Sequence, residues 1–384
     1  SEALGTIDNR PTEALVRLYD RWARGGTGLL VTGNVMIDRR ALGEPNNVAL
    51  EDDRDLPMLK RWAEAGKQDG THIWVQLNHP GKQVPKGLNR EAVAPSAVPF
   101  APHLAPLFAV PRALTVAEIS DVVQRFGKSA ALAKEAGFTG VQIHGAHGYL
   151  VSQFLSPHHN QRDDAYGGSL DNRFRFLSEV YQSIREAVGP SFPIGIKMNS
   201  ADFQKGGFTE EEARVVMLRL SELGIDLIEL SGGTYEAPVM AQGAPAKEST
   251  KKREAYFLEL AERARADVSV PLAVTGGFRT RQGIEDALAA GALDVVGLGR
   301  SVALDPDLPK KILAGEEAVS AVRPLRTGIA PVDRAGFMEV GWYTRQIHRI
   351  GRGLEPRPNE NALLAFLAIL CSQGLRTLRT RLRA

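Results

Sequence analysis

The sequence predicts an α/β fold, specifically a (β/α)8 barrel of the TIM type with a helical C-terminal extension. Short apolar segments alternate with longer amphipathic ones, which is the pattern of parallel strands joined by crossover helices. Most of the apolar segments are continuous, as in strands that are buried on both faces. No G-x-G-x-x-G motif follows a predicted strand, and this disfavours a doubly wound dinucleotide-binding sheet.

The predicted strands occupy residues 28–33, 72–77, 140–144, 193–198, 226–231, 271–276 and 294–299. The predicted helices occupy residues 12–24, 115–136, 172–188, 209–223, 254–266 and 281–290. Three of these helices start at Thr12, Thr115 and Thr209 with a glutamate close behind, which indicates capping of the helix start.

An eight-stranded barrel needs one more strand than the sequence offers. The residues ahead of the first predicted helix are turn-like. We therefore expect the first strand to be missing or to lie upstream of Ser1. We assign residues 1–318 to the barrel and residues 319–384 to a C-terminal extension that is partly helical.

The chain has 384 residues, of which 43% are apolar, and a formal net charge of +2. Such a balance gives no reason to expect a nucleic-acid partner, and the arginines of residues 376–383 are interpreted as a solvated tail. A single cysteine, Cys371, excludes disulfides within the chain and cysteine-ligated clusters, which agrees with a cytoplasmic protein without a signal peptide. The apolar run 362–371 is too short to span a bilayer and is interpreted as a buried or docking helix.

Barrel enzymes carry their chemistry at the carboxyl ends of the strands. The last two predicted strands end in glycines and an arginine, namely Gly276, Gly277, Gly299 and Arg300. Glycine lets the backbone approach an anion closely, and the planar fork of arginine suits a phosphate. We therefore predict a phosphate site. The alternative is that the glycines serve tight turns and that the arginine makes a surface ion pair.

Two polar residues near the ends of the central strands indicate a heterocyclic ligand. The amide of Gln76 offers both a donor and an acceptor to a ring. Lys197 ends an apolar strand, where a lysine without a function is rare, and would place a positive charge near that ring. Flavins need such a charge because reduction makes one side of the ring anionic.

His144, His147 and Tyr149 lie where the strand 140–144 ends. A turn there brings both imidazoles toward one point, and two N–H donors on one carbonyl oxygen would polarise it. Tyr149 would then deliver a proton. Two alternatives stay open, namely a metal site, for which no third ligand is evident, and histidines that only satisfy loop backbone.

The polar loop that follows these histidines is interpreted as a hydrogen-bonded scaffold that locks them in place. It is too polar and too rich in turn residues to form core. Its predicted members are Asn160, Arg162, Asp163, Tyr166 and Arg173.

The stretch HGAHGYLVSQFLSPHHNQRDDAYGGSLDNRFRF, which begins at His144, resembles the signature of the Old Yellow Enzyme family of FMN-dependent ene-reductases, the NADH:flavin oxidoreductases. The segments WVQLNHPGKQ and VVGLGRSVALDP match in the same order. The resemblance extends from Ser1 to about residue 309. It implies an eight-stranded barrel that holds FMN.

The resemblance also implies which residues bind the cofactor. Gly33 would lie by the pyrimidine edge of the flavin, and Gln76 would hydrogen-bond the ring. Lys197 stands where relatives usually carry arginine, beside flavin N1, and it lacks the bidentate geometry of arginine. The residues implied for the phosphate are Gly277, Gly299 and Arg300.

The reaction that the resemblance implies is reduction of the C=C bond of an α,β-unsaturated carbonyl compound, with NADH or NADPH as the hydride donor. His144 and His147 would hold the carbonyl oxygen, and Tyr149 would donate the proton. Two alternatives are kept, namely an FMN barrel that oxidises an amine or another small organic substrate, and a non-catalytic flavin binder. No metal is expected. The identity of the enone and the formation of a homo-oligomer are left open.

Overall fold

The computed structural model describes residues 2–237, 257–329 and 337–368. Ser1, Cys371, the arginines of the C-terminal tail and the start of the predicted helix 254–266 lie outside the described residues. The described strands are β1 (Leu29–Val31), β2 (Val35–Met36), β3 (Val48–Ala49), β4 (His72–Asn78), β5 (Ala92–Ala94), β6 (Pro111–Ala113), β7 (Gly140–Gly145), β8 (Ile194–Asn199), β9 (Leu227–Ser231), β10 (Leu272–Thr275) and β11 (Val295–Gly297).

The described helices are α1 (Glu13–Arg24), α2 (Leu56–Ala65), α3 (Val116–Glu135), α4 (Leu150–Leu155), α5 (Leu170–Val188), α6 (Glu210–Leu223), α7 (Leu258–Ala264), α8 (Arg281–Ala289), α9 (Arg300–Leu304), α10 (Leu308–Leu313) and α11 (Phe337–Gly351). A 3-10 turn spans Gln68–Gly70, and residues 362–368 are helical.

The main sheet is parallel and follows the chain in the order β1, β4, β7, β8, β9, β10 and β11. Each of these strands matches a predicted one to within one or two residues, so the predicted α/β fold is confirmed. Within the part of the chain that the structure describes, β1 pairs only with β4 and β11 only with β10. No backbone pairing between β1 and β11 is therefore present among the described residues.

Strand β2 continues the line of β1 after a bulge. Val31 pairs with Trp74, whereas Val35 pairs with Leu77, so residues 32–34 face only residues 75–76 of β4. An extra residue of this kind redirects the side chains beside it. The bulge lies at the carboxyl end of the strand, where barrel enzymes place their chemistry.

Some elements are not predicted from the sequence. The short strands β2, β3, β5 and β6 have two or three residues each, too few for a period to be detected, and α2 is also unpredicted. Two predicted caps are confirmed, since Thr115 and Thr209 each form a capping box with the glutamate three residues later. The side-chain cap predicted at Thr12 is wrong, because its hydroxyl oxygen accepts no hydrogen bond from a backbone N–H of α1. The hydroxyl donates to the carbonyl oxygen of Leu4 at 2.7 Å.

Side chains inside the barrel form layers, because successive residues of a strand face opposite sides. Trp74 fills one layer and packs with Leu227 and Ala273. Gly140 and Gly195 leave room for the indole, since a Cβ at Gly140 would lie 2.5 Å from its nitrogen. The layer two residues further along each strand is polar. Its members are Gln76, Gln142, Lys197, Glu229 and Thr275.

The C-terminal helix α11 packs on the outer helices of the barrel. Nε of Arg17 on α1 donates to the carbonyl oxygen of Gly351 at 2.8 Å. Trp342 is buried with Ala362 and Ala365, so residues 362–368 dock as the apolar run predicts. The division at residue 318 stays a prediction. None of the described helices has both the length and the apolar character needed to cross a membrane.

We expect Trp74→Ala to lower the free energy of unfolding by about 3–5 kcal/mol, because the neighbouring glycines have no side chains that could fill the cavity. Chemical denaturation followed by circular dichroism measures this loss. The control is His72→Ala, at an exposed position of the same strand, for which we expect a change within about 0.5 kcal/mol. Equal losses in the two variants would contradict the packing described here.

Candidate active site

The turn after β7 brings His144, His147 and Tyr149 together. His147 has a φ of 60° and Gly148 a φ of 78°, so the chain reverses in the left-handed region directly after the strand. The ring centroids of His144 and His147 are 5.2 Å apart, and those of His144 and Tyr149 are 4.7 Å apart. The three side chains that the sequence singles out therefore lie at one place.

Both imidazoles are neutral at physiological pH. Burial lowers the pKa of His144 well below its ordinary value, and the positive charge of Lys197 acts in the same direction. Burial also lowers the pKa of His147 to about 3. The backbone N–H of Ala146 donates to Nδ1 of His144 at 3.3 Å, which assigns the ring proton to Nε2. His144 therefore offers an N–H donor at Nε2.

His147 is held by the ends of the two following strands. Its backbone N–H donates to Oδ1 of Asn199 at 2.9 Å, and its Nε2 lies 2.8 Å from Oγ of Ser231. Nε2 of Gln83 donates to the carbonyl oxygen of His147 at 2.9 Å. Contacts from β8, β9 and the loop after β4 thus fix a residue whose backbone conformation is unusual for a side chain other than glycine.

The hydroxyl of Tyr149 has two polar neighbours. Nδ2 of Asn34, beside the bulge, donates to it at 3.1 Å, and the hydroxyl of Tyr235 lies 3.1 Å away. Burial raises the pKa of Tyr149 to about 12, and the hydrogen bonds from Tyr235 and Asn34 act against that rise. Tyr149 is therefore protonated at neutral pH and able to donate.

The polar layer inside the barrel is one connected chain of hydrogen bonds. Nε2 of Gln76 donates to Oε1 of Gln142 at 2.8 Å, and Nε2 of Gln142 donates to Oε2 of Glu229 at 2.7 Å. Oε1 of Glu229 lies 2.7 Å from Nζ of Lys197 and accepts a hydrogen bond from Thr275. Gln76 and Lys197 are thus linked through Gln142 and Glu229.

Glu229 is ionised although it is buried. Burial by itself raises the pKa of this carboxyl, but the Lys197 ammonium and the hydrogen bonds from Lys197, Thr275 and Gln142 outweigh it and hold the pKa below its ordinary value. The side chains of Lys197 and Glu229 are 16% and 9% exposed. The positive charge predicted at Lys197 is therefore present and is balanced by a carboxylate on the next strand.

The glycines predicted to bind phosphate lie at neighbouring strand ends. β10 and β11 pair in parallel up to Thr275 and Gly297. Gly276 and Gly277 follow with φ values of 115° and 104°, which only glycine adopts without strain. Among the described residues, no heavy atom beyond the chain neighbours lies within 4 Å of the position that a Cβ would take at Gly299. Bare backbone and open space at these ends suit an anionic group.

Two further predicted cofactor residues have partners in the chain itself. Nη1 of Arg300, the first residue of α9, donates to Glu339 at 3.1 Å. This is the ion pair that the alternative interpretation of Arg300 expects. The backbone N–H of Gly33 donates to Oε1 of Glu2 at 2.8 Å, and Glu2 also accepts a hydrogen bond from Tyr19.

FMN fits the donor set of the interior and of the strand ends. Lys197 supplies a cation, and Gln76 has an amide oxygen to which the structure gives no donor from the described residues. The backbone at Gly276 and Gly277 offers an anion a surface without side chains. A heterocycle with a phosphate group matches both halves of the site.

The loop after α4 is the hydrogen-bonded scaffold that its polarity predicts. Four of the predicted members make such bonds, namely Asn160, Arg162, Tyr166 and Arg173. The prediction of Asp163 is wrong, because Asp163 is exposed and the neighbouring Asp164 pairs with Arg162 at 2.5 Å.

One group among the described residues has metal-ligand geometry, outside the site above. The candidate ligand atoms of His158, His159 and Glu236 lie within 4.8 Å of one another. The carboxylate of Glu236, however, accepts from Nζ of Lys82 at 2.9 Å and from the backbone N–H of Ala101 at 2.8 Å. An ammonium group is thus already placed where a cation would bind, and the ion pair ties the loop after β9 to the loop after β4.

Comparison with known proteins assigns this chain to the flavin-dependent oxidoreductases. The chain belongs to the NADH:flavin oxidoreductase / NADH oxidase family, whose family model matches residues 5–318. It is 39% identical over 340 residues to the NADH-dependent flavin oxidoreductase iliE of Hypocrea jecorina, covering 83% of this chain and 84% of the relative. It is 32% identical over 292 residues to an NADPH dehydrogenase of Geobacillus, covering 76% and 80%.

Solved structures support the same family. An Old Yellow Enzyme homologue from Zymomonas mobilis matches with a TM-score of 0.69 and 25% identity, covering 83% of this chain and 88% of that one. A histamine dehydrogenase from Rhizobium matches with a TM-score of 0.69 and 30% identity, covering 82% and 44%. A 2-naphthoyl-CoA reductase matches in fold, with a TM-score of 0.75 and 24% identity, covering 87% and 54%. The predicted Old Yellow Enzyme relationship and the FMN cofactor are confirmed.

Several residues of the site are not predicted from the sequence, and Gln142, Glu229 and Tyr235 are among them. Gln142 and Glu229 do carry a signal, because each is polar within a largely apolar strand and two residues beyond the inner layer of Trp74. Asn34 stands directly after the predicted strand 28–33, whereas Tyr235 carries no signal. Their contacts with Tyr149 depend on a bulge and on a loop conformation.

We expect neither His144 nor His147 to titrate between pH 5 and pH 8. Burial lowers both pKa values, so each ring binds a proton only well below this window and stays neutral through it. Nitrogen-15 NMR of histidine-labelled protein checks this, with His144→Asn and His147→Asn to assign the signals. Titration of either ring near its ordinary pKa would contradict the burial described here.

Proposed function

We propose that this chain is an FMN-dependent ene-reductase, which uses NADH or NADPH to reduce the C=C bond of α,β-unsaturated carbonyl compounds. The observation that carries the proposal is the meeting of His144, His147 and Tyr149 at the end of β7, beside the strand end that carries Lys197. Paired donors, a protonated tyrosine and a flavin site are the groups that this reaction requires.

His144 and His147 bind the carbonyl oxygen of the substrate. Nε2–H of His144 donates to that oxygen, and His147, positioned by Ser231 and Asn199, supports it from the second side. Neutral donors polarise the C=C–C=O system without adding a proton to the oxygen. They also favour a carbonyl group over an ammonium group, because a cation gains nothing from an N–H donor.

Tyr149 gives its proton to the carbon α to the carbonyl group. Asn34 donates to its oxygen, and in the proposed site Tyr235 donates as well, which leaves the O–H of Tyr149 free for the substrate. Both donors stabilise the phenolate that remains after proton transfer. When Tyr149 later takes a proton from solvent, the site returns to its starting state.

The cofactor is held by residues of three kinds. Gln76 and Lys197 bind the ring, Gly33 lies beside it, and the phosphate is bound at the ends of β10 and β11. The residues proposed for the phosphate are Gly276, Gly277, Gly299 and Arg300. When bound there, FMN would supply the hydride-transfer chemistry that links NADH or NADPH to the C=C bond of the substrate.

The test is an anaerobic titration of the FMN-loaded protein. NADH or NADPH should bleach the flavin absorbance, and cyclohexenone should restore it while cyclohexanone appears in equal amount. Amines such as histamine serve as the comparison, because a family relative is a histamine dehydrogenase. Bleaching by an amine together with no recovery by any enone would refute the proposal.

We expect Tyr149→Phe to slow the recovery of flavin absorbance by the enone by roughly 10²- to 10⁴-fold, which is the usual worth of a positioned proton donor. Bleaching by NADH should keep its rate, since that step needs no proton from Tyr149. Rapid-mixing absorbance measures the two steps separately. Equal losses in both steps would assign Tyr149 to folding or cofactor binding instead.

We expect Tyr235→Phe to slow the same enone step by about 10-fold, the worth of roughly 1.4 kcal/mol of one lost hydrogen bond. Without that donor the pKa of Tyr149 rises further, so Tyr149 remains a donor but a weaker acid. Rapid-mixing absorbance of the enone step at neutral pH measures the loss. An unchanged rate would remove Tyr235 from the proposal.

A further inference from the structure

We propose that Glu229 is a positioning residue for the flavin, which orients the amide of Gln76 and partly cancels the charge of Lys197, so that the reduction potential of bound FMN is lowered. The inference rests on the proposed placement of the flavin at Gln76 and Lys197. It adds to that site a residue that the proposed function does not use.

The first step is the position of Glu229 inside the barrel. The carboxylate stands in register with Lys197 on β8 and is two residues before Ser231, which contacts His147. It accepts hydrogen bonds from side chains of three different strands, β7, β8 and β10. Because three inner side chains bind this carboxylate, its position inside the barrel is fixed.

The second step is the direction of the hydrogen bonds. An ionised carboxylate only accepts, so Gln142 must turn its NH₂ group toward Glu229 and its oxygen toward Gln76. Gln76 must then turn its own NH₂ group toward Gln142. The charge of Glu229 thus fixes the orientation of the Gln142 amide, and Gln142 in turn fixes the orientation of the Gln76 amide. The side of Gln76 left for the ring presents Oε1, an acceptor for a ring N–H.

The third step is the net charge that Lys197 and Glu229 together present to the flavin ring. Lys197 alone would favour the reduced flavin, which carries more negative charge than the oxidised one. Glu229 lies 2.7 Å from the ammonium and offsets most of its field in an environment with little solvent. The net effect at the ring is a weaker stabilisation of the reduced form than a lone lysine would give.

The experiment is the midpoint potential of FMN in the full chain, measured by anaerobic equilibration with a reference dye and no enone. We expect Glu229→Gln to favour reduction by at least about tenfold, which is about 30 mV for a two-electron couple. Lys197→Met should shift the equilibrium by a similar factor in the opposite direction. The double variant should return near the wild-type value, because both charges are then absent.

The control is Glu212→Gln, which also removes a carboxylate from a buried cation, the side chain of Arg173, but does so on the outer helix α6. It should leave the potential unchanged. Glu229→Asp keeps the charge at a greater distance from Lys197, and should shift the potential in the same direction as Glu229→Gln by less. If Glu229→Gln does not retain FMN, the Glu229→Asp variant still tests the inference.

The outcomes separate this inference from the proposed function. A shift below about twofold in Glu229→Gln, with a full shift in Lys197→Met, would overturn the role of Glu229. No shift in either variant would show that the flavin does not lie at this layer, and would overturn the inference together with its placement of FMN. A full shift in a protein that reduces no enone would support the inference and refute the proposed substrate.

Discussion

The interaction on which the site depends is the ion pair between Lys197 and Glu229 inside the barrel. Two charges removed from water are costly unless their remaining donors and acceptors are satisfied. Gln142 and Thr275 donate to the remaining acceptors of the Glu229 carboxylate and so provide that satisfaction. Because the same carboxylate also orients Gln142 and Gln76, one buried charge determines what the interior presents to a bound ring.

Above this charged layer the rim is neutral. Burial lowers the pKa of His144 and His147 and raises the pKa of Tyr149, so two uncharged donors and one protonated phenol face the same space. The charged groups therefore lie in the interior layer, and the uncharged donors lie at the rim. Under the proposed function, the interior would set the properties of the bound cofactor, whereas the rim would polarise a carbonyl group and supply one proton. Both layers lie near the carboxyl ends of the strands.

Much of this account could be predicted from the sequence, and the rest could not for physical reasons. The continuous apolar strands can be recognised in the amino-acid sequence, and so can the position of His144, His147 and Tyr149 at a strand end. The pairing of Lys197 with Glu229 requires the register between two strands, and the contact of Tyr235 with Tyr149 requires the path of a loop. The side-chain cap expected at Thr12 is absent, and the hydroxyl of Thr12 instead donates to the carbonyl oxygen of Leu4, which only the folded chain brings close.

Neutron diffraction from crystals of the FMN-loaded protein tests the central claim most directly, because it locates the hydrogen atoms of the inner layer. The account predicts a deprotonated Glu229, a fully protonated Lys197, and the NH₂ groups of Gln142 and Gln76 both directed along the chain toward Glu229. A proton on Glu229, or amide groups turned the opposite way, would show that this carboxylate does not set the polarity of the barrel interior.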